Sequence, residues 1–418
     1  MLPSITASAD AHARQPQRLG DRGLLALLAL LSAFIPLSTD MYLPALPTMA
    51  VTFHAPAQLV NLTLVLFFVF FSVGALLWGP LSDKYGRKPI LLYGLAGYVL
   101  ASAYCACTGN VYGLIGGRVL QAFSGGAAPA IAIALVKDLF SGRKRERGLV
   151  LIQSMVMIAP IVAPVIGALL LKWTSWRGVF WTLAGAGMLA LLLSLALRET
   201  VVTRYRGTVL QTVAQLGVVL KNPGFSTLLL VFSLAGMPLF SYLAASSFIY
   251  IKEFHLSALT YSYYFMLNAL CAVIAPFCYL QLSTRLSRRA IITLCYAVIA
   301  VSGVLICSLG QLHPWLLAFA IMPATLMMGV MRPPSTHLLL EQEHTAVGAA
   351  SSLINCAGSF VGSIGMLLMS CGWRSMILPL GAVHLLAGLA CGVLWLKLSR
   401  KPFVRDLPDV RAGAGVTG

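Results

Sequence analysis

Charge is what this sequence has least of. Asp, Glu, Lys and Arg make up 10% of its 418 residues, where a soluble domain carries about 25%. So few charges cannot cover a water-facing surface, which excludes a soluble enzyme and a disordered chain. Carboxylates are rarer still, at twelve. There is no GxxxxGKS/T loop, so ATP is not the expected energy source. The seven histidines show no HExxH or comparable ligand spacing, so no metal centre is expected. The nine cysteines scatter through apolar runs without framework spacing, which excludes a disulfide-stapled secreted domain.

What fills the chain is apolar: 59% of its residues are hydrophobic. They fall into runs of about 20 residues, each long enough to cross the hydrocarbon core as a helix. The expected spans are 23–46, 58–80, 90–109, 112–136, 148–171, 177–197, 224–246, 260–282, 290–310, 315–337, 347–371 and 374–396. Runs this long, without period-2 alternation, exclude a closed barrel. The expected fold is therefore an all-α polytopic membrane protein with twelve transmembrane helices. The expected organisation is a tail (1–22), a six-helix bundle (23–197), a linker (198–223), a second six-helix bundle (224–397) and a tail (398–418). The polar start is expected to be disordered. It is not expected to be a cleavable signal peptide, because the first apolar run is too long and no small-residue cleavage site follows.

The net charge of +17 comes from 29 Lys and Arg against 12 Asp and Glu. In a soluble chain it would point to nucleic acid; here its placement decides. Twenty-three basic residues fall on the side shared by the two termini and four on the other, while Arg118 and Arg332 lie inside spans. That imbalance puts both termini in the cytoplasm. Dispersal over short loops excludes a nucleic-acid surface.

The two expected bundles share a weak repeat. Leu81-Ser82-Asp83-Lys84-Tyr85-Gly86-Arg87-Lys88 after the second span has its counterpart 201 residues later in Leu282-Ser283-Thr284-Arg285-Leu286-Ser287-Arg288-Arg289. Trp176-Arg177 before the sixth span recurs 197 residues on as Trp373-Arg374 before the twelfth. Parallel repeats of this kind belong to transporters that rock two bundles about a midplane site.

Of the carboxylates, only Asp40 falls well inside a span. Lipid cannot compensate it, so it must face the bundle interior or a water-filled cavity. Desolvation favours a carboxyl's neutral form and a nearby cation its ionised form. A group poised between the two suits proton carriage; the alternative is a structural carboxylate capping a helix broken near Pro44 and Pro47. Arg118 is the second intramembrane charge, and helix rise puts both roughly 9–10 Å below the outer surface. Either they pair, or Arg118 bonds Gln121 and backbone carbonyls and acts on Asp40 from a distance.

The segment from Gly79 to Pro89 reads as a tight loop in which Gly79 and Gly86 permit the turn. Its charges, Asp83 and Arg87 among them, can network with Asp138 at the end of the fourth span. Pro160 and Pro164, with Gly167 after them, bend the fifth span or simply pack it. Arg332 reads equally as a gate residue pairing across the halves and as a snorkelling arginine. Phe123, Phe240, Tyr242, Tyr263, Tyr264 and Phe265 are candidates to line an apolar cavity or to face lipid and core, with Tyr42 and Gln121 beside the two charges.

With these residues in view, the chain resembles the major facilitator superfamily and, within it, the Bcr/CflA branch of drug:proton antiporters. The likeness rests on GPLSDKYGRKPIL (79–91), LIGGRVLQAFSGGAA (114–128), IAPIVAPVIGAL (158–169) and STDMYLPALP (38–47). Ala163 and Ala168 stand where the helix 5 pattern has glycines. Ser32 stands where some related exporters carry a second acid. The resemblance implies two six-helix bundles around a central cavity, with Asp40 as protonation site and Arg118 tuning it. It implies that Asp83 meets the start of helix 11 near Gly348, that Arg87 and Asp138 complete a charge network, and that Pro160, Pro164 and Gly167 shape a contact of helix 5 with helix 8. It also implies a monomer in the bacterial inner membrane that exports small amphipathic drugs, chloramphenicol-like or bicyclomycin-like, by alternating access. No cofactor is implied; the proton gradient supplies the energy. Export of a native metabolite such as a siderophore or amino acid is the alternative, and a nutrient:proton symporter is less favoured by the helix 5 segment. A membrane-embedded enzyme or scaffold would need clustered catalytic groups, which one buried acid and one arginine do not supply.

Overall fold

The computed structural model describes residues 19–201, 209–343 and 347–405. The expected tails and the middle of the expected linker lie largely outside these residues. Every regular element among the described residues is helical, and twelve helices are long and apolar enough to cross a membrane. Spans 1–6 are Arg22–Thr52, Ala57–Tyr85, Arg87–Cys107, Val111–Leu139, Gly142–Trp173 and Trp176–Leu195. Spans 7–12 are Pro223–Glu253, Ala258–Ser283, Arg288–Leu309, Pro314–Leu340, Gly348–Met369 and Ile377–Leu398. The chain is an all-α, multi-pass membrane protein.

Several helices outrun the apolar runs that announce them. Span 2 continues to Tyr85, and span 5 starts at Gly142, before the basic stretch Arg143–Arg147. Hydropathy marks only the part that sits in hydrocarbon. Lys, Arg and Glu are good helix formers, so the helix carries on beyond it. Pro160 and Pro164 lie inside one helix, as do Pro323, Pro333 and Pro334 of span 10; packed neighbours make such prolines tolerable in a membrane.

Span 1 is broken where it matters most. Its main helix, Gly20–Asp40, ends on the buried acid. A 3-10 turn, Leu43–Ala45, and a short helix, Leu46–Thr52, follow. Pro44 has no N–H to return to the Asp40 carbonyl, so the α-helical ladder stops there, while Pro47 suits the start of the next piece. Span 7 is also composite: Pro223–Leu234, Met237–Ser247 and a π turn, Phe248–Glu253.

The helices form two compact units. The first comprises Met1–Tyr42 and Leu66–Val213, the second Leu43–Val65 and Ala214–Gly418. The boundary thus cuts spans 1 and 2 as well as the linker. In the first unit, span 1 packs on span 5, and span 3 on spans 4 and 6. In the second, span 9 packs on spans 10 and 12, span 8 on span 10, and span 7 on span 11. Small residues let these backbones meet. A Cβ at Gly388 of span 12 would lie 2.5 Å from the Ala300 backbone nitrogen of span 9. Large apolar side chains such as Tyr93, Leu100 and Trp173 are exposed, as lipid-facing positions require. Gly388→Ala is expected to lower stability by about 1–3 kcal/mol through forced separation of spans 9 and 12. Gly116→Ala, with open space around it, is the control that holds its melting temperature in detergent.

Candidate functional site

Asp40 is the last residue of the first helix and is 5% exposed. The Thr39 hydroxyl donates to its Oδ1 at 2.9 Å. Among the described residues no basic side chain forms an ion pair with it. The C-terminal end of a helix carries partial negative charge, so a proton or a cation at this carboxyl relieves repulsion. Span 5 closes on the break from the side: a Cβ at Gly167 would overlap the Met41 carbonyl, so only glycine fits. Pro164 is buried and Pro160 half-buried in the same helix. Gly167 therefore seats the helix interruption itself.

Arg118 is 0% exposed. Its Nη1 donates to the Ser38 carbonyl at 3.1 Å and to Gln121 Oε1 at 2.5 Å. Three rings surround the guanidinium: Phe67 at 4.2 Å, Tyr42 at 4.7 Å and Phe180 at 5.8 Å from its central carbon. Its Nε and Nη2 have no hydrogen-bond partner. Of the two arrangements open from sequence, the structure has the second: Arg118 holds Gln121 and the backbone two residues before Asp40. Tyr42 and Gln121, both fully buried, belong to this cage. Gln121 donates onward to the Ser102 hydroxyl at 2.7 Å, and the Ser38 and Tyr98 hydroxyls share a hydrogen bond of 2.6 Å. Spans 1, 3 and 4 are thus joined by one buried polar network. Tyr98 and Ser102 carry no motif that would mark them in sequence, and neither do the rings of Phe67 and Phe180; Ser38 opens the STDMYLPALP segment, yet nothing there points to Arg118.

The expected loop at Gly79–Pro89 is mostly helix: span 2 runs through Gly79 and Pro80 to Tyr85. Gly86 alone breaks it, at φ 108°, in the region that disfavours side chains. Span 3 starts at the next residue. Pro80 lies inside this helix, where neighbouring helices and local adjustment of the hydrogen-bond ladder make a proline tolerable. Arg87 lies 2.5 Å from Asp83 Oδ1 and donates through Nε to Asp138 Oδ2 at 3.1 Å. Glu199, after span 6, accepts from the backbone N–H of Arg87 at 2.8 Å and of Lys88 at 3.2 Å. Its carboxylate caps span 3 where the helix dipole favours negative charge. Sequence alone gave Glu199 no role, since the pairing joins residues 112 apart.

In the second unit, Arg288 reaches Glu341 at 3.1 Å, the counterpart of Arg87 with Asp138, and His337 lies 3.2 Å from the same carboxylate. Arg332 is exposed, and no carboxylate of the second unit's described residues pairs with it. Tyr242 stacks on Phe265 at 5.9 Å, and Tyr264 on Tyr250 at 4.8 Å. Phe240 is half-buried beside Gly362, and Tyr263 is exposed. Phe123 belongs to the first unit, away from the Arg118 cage. It tilts against Trp78, whose Nε1 donates to the Phe123 carbonyl at 2.6 Å. Among the described residues no three His, Cys, Asp or Glu side chains gather as a metal site would require.

The chain matches the family model of the Major Facilitator Superfamily over residues 28–366. A chloramphenicol resistance protein of Pseudomonas aeruginosa is 40% identical over 171 residues, covering 40% of this chain and 41% of that one. A bicyclomycin resistance protein homolog of Haemophilus influenzae is 28% identical over 382 residues, 87% of this chain and 94% of the relative. Among solved structures, a peptide transporter POT in complex with sulfate superposes with a TM-score of 0.75 at 16% identity, covering 96% of this chain and 99% of that one, which speaks for the fold alone. Twelve apolar helices, their repeat and the match across most of the length agree: the chain belongs to the Major Facilitator Superfamily of membrane transporters.

Proposed function

We propose that this transporter is a proton-driven exporter of small amphipathic drugs, working by alternating access, with both termini in the cytoplasm of a bacterial inner-membrane protein. The observation that carries the reading is the Asp40 carboxyl: 5% exposed, at the end of a broken membrane helix, with Thr39 as its hydrogen-bond donor and no ion-pair partner among the described residues. Such a group costs least when neutralised, either by a proton or by cargo. The names of the chloramphenicol and bicyclomycin resistance relatives support drugs as that cargo.

In this reading Asp40 binds a proton from outside as cargo leaves, and releases it inward. Arg118 holds the Ser38 carbonyl, so any shift of the helix end that bears Asp40 is felt by a fixed positive charge. The Asp83–Arg87–Asp138 group, with Glu199 on the span 3 N-terminus, fixes one conformation of the first unit until cargo binding displaces it. A membrane potential of 100 mV contributes about 2.3 kcal/mol per charge moved, enough to drive accumulation in one direction.

Asp40→Asn is expected to abolish proton-driven export in an efflux-deficient host while membrane abundance stays at the wild-type level. A variant that still expels drug against its gradient would sink the assignment. A protonophore should raise drug retention in cells expressing the wild type and leave Asp40→Asn cells unchanged. Gly86→Ala forces a side chain into a left-handed backbone and against Glu199, at a cost of about 1–2 kcal/mol. Export rates in proteoliposomes should fall roughly tenfold, and an unchanged rate would remove Gly86 from the gate.

A further inference from the structure

Spans 8, 9 and 10 of the second unit leave a gap among themselves. Spans 8 and 9 each pack extensively on span 10 but scarcely on one another, so span 10 forms the floor of a cleft between them. Spans 8 and 10 are pressed together at Gly329, where a Cβ would overlap that of Ala275. Pro276 follows at once inside span 8. It cannot donate to the carbonyl four residues back, and its ring crowds the preceding turn, which bends a helix. Beyond it lies a cavity of about 490 Å³, within the roughly 300–1,000 Å³ of small-ligand pockets. Phe277, Cys278, Leu280, Gln281 and Leu282 of span 8 line it together with Met327 of span 10. The Cys295 thiol of span 9 lies 3.9 Å from the Met327 sulfur and so meets the same floor from the other wall.

The cleft has apolar walls, one neutral polar side chain and a cationic end. Phe277 and Leu280 are 66% and 62% exposed, as residues bathed in hydrocarbon are. Met327 stands at the midpoint of Pro314–Leu340, while the lining of span 8 runs to Leu282, beside the helix end at Ser283. The cleft therefore reaches from the depth of the bilayer to its edge. There the backbone continues as a turn: Thr284 keeps helical dihedrals, and the Arg285 N–H donates to the Leu282 carbonyl at 3.1 Å. Cys278, Gln281 and Arg285 follow one another at spacings of three and four, which puts them on one face. Arg288, past the turn, already shares Glu341 with His337. Arg285 is exposed and has no ion-pair partner among the described residues. A cation left open at the mouth of an apolar cleft complements an amphiphile with an anionic head, and a neutral or cationic amphiphile leaves it unmatched.

We infer that this cleft holds an anionic phospholipid. One acyl chain lies along Phe277, Cys278 and Met327, Gln281 meets the ester region, and the Arg285 guanidinium takes the phosphate with its planar fork of donors. Basic pockets between membrane helices are suited to lipid head groups. The site lies wholly within the second unit. It goes beyond the export reading and does not rest on it, since it needs neither Asp40 nor cargo.

The test is native mass spectrometry of the purified full-length protein in neutral detergent, titrated with phosphatidylglycerol or with phosphatidylcholine of the same acyl chains. The wild type should bind the first phosphatidylglycerol about fivefold more tightly than phosphatidylcholine, and Arg285→Gln should lose that margin. Arg285→Lys, which keeps the charge, should retain most of it. Arg400→Gln removes another exposed cation, after span 12, and should leave the affinity unchanged. Cys278→Trp fills the cleft and should weaken phosphatidylglycerol with Arg285 still in place. An unchanged melting temperature without added lipid separates lost binding from lost fold. The assignment is overturned if the wild type shows no preference for phosphatidylglycerol, or if Cys278→Trp binds it like the wild type. It is also overturned if Arg285→Gln and Arg400→Gln act equally, as a general attraction of anions to a basic surface would require. Displacement of phosphatidylglycerol by chloramphenicol would make the cleft a cargo site and overturn it as well.

Discussion

A guanidinium cannot shed its charge on entering a membrane, and the first unit is arranged around that constraint. Taking Arg118 wholly out of water costs several kcal/mol, and among the described residues no carboxylate pairs with it. Compensation comes instead from two charge-assisted hydrogen bonds, at about 1.5–3 kcal/mol each, and from three rings worth up to about 2 kcal/mol each when desolvated. Together these contacts offset the desolvation of the guanidinium. Spans 1, 3 and 4 and the rings of spans 2 and 6 are therefore bound to one another through a single side chain. Asp40 sits two residues beyond the carbonyl that Arg118 holds, so the acid and the cation are linked through the backbone and not as a direct ion pair.

The spans, their number and the two intramembrane charges were legible in the sequence because each depends on a rare event in an apolar chain. A run of 20 apolar residues, or one acid within it, stands out against its surroundings. What escaped is made of ordinary residues. Ser102 looks like any membrane serine, and Phe67 and Phe180 like any lipid-facing ring, until the third dimension brings Arg118 among them. Helix ends were misjudged for a related reason. Gly79 and Pro80 looked like a loop, yet the helix passes through them and stops only at Gly86, where backbone geometry demands it. Hydropathy reports where hydrocarbon begins, and it is silent on where hydrogen bonding ends.

The internal repeat survives in structure as shared geometry more than shared residues. Arg87 with Asp138 and Arg288 with Glu341 are the same clasp built twice. His54 and His255, again 201 residues apart, both adopt positive φ at the ends of spans 1 and 7. Elsewhere the copies have parted: Trp176 is buried while Trp373 is exposed. The second unit has neither a buried carboxylate like Asp40 nor a buried arginine like Arg118 among its described residues. The copies thus share a clasp and a helix-end geometry, while their loops and interiors have both diverged.

Glu199 gives the connection between the units an unexpected starting point. The chain leaves span 6 at Leu195, yet Glu199 and Thr200 are fastened to the first unit through the N-terminus of span 3 and Asp138. The chain is therefore held against the first unit as far as Thr200 rather than Leu195, and a residue outside any helix supplies the negative charge that caps span 3.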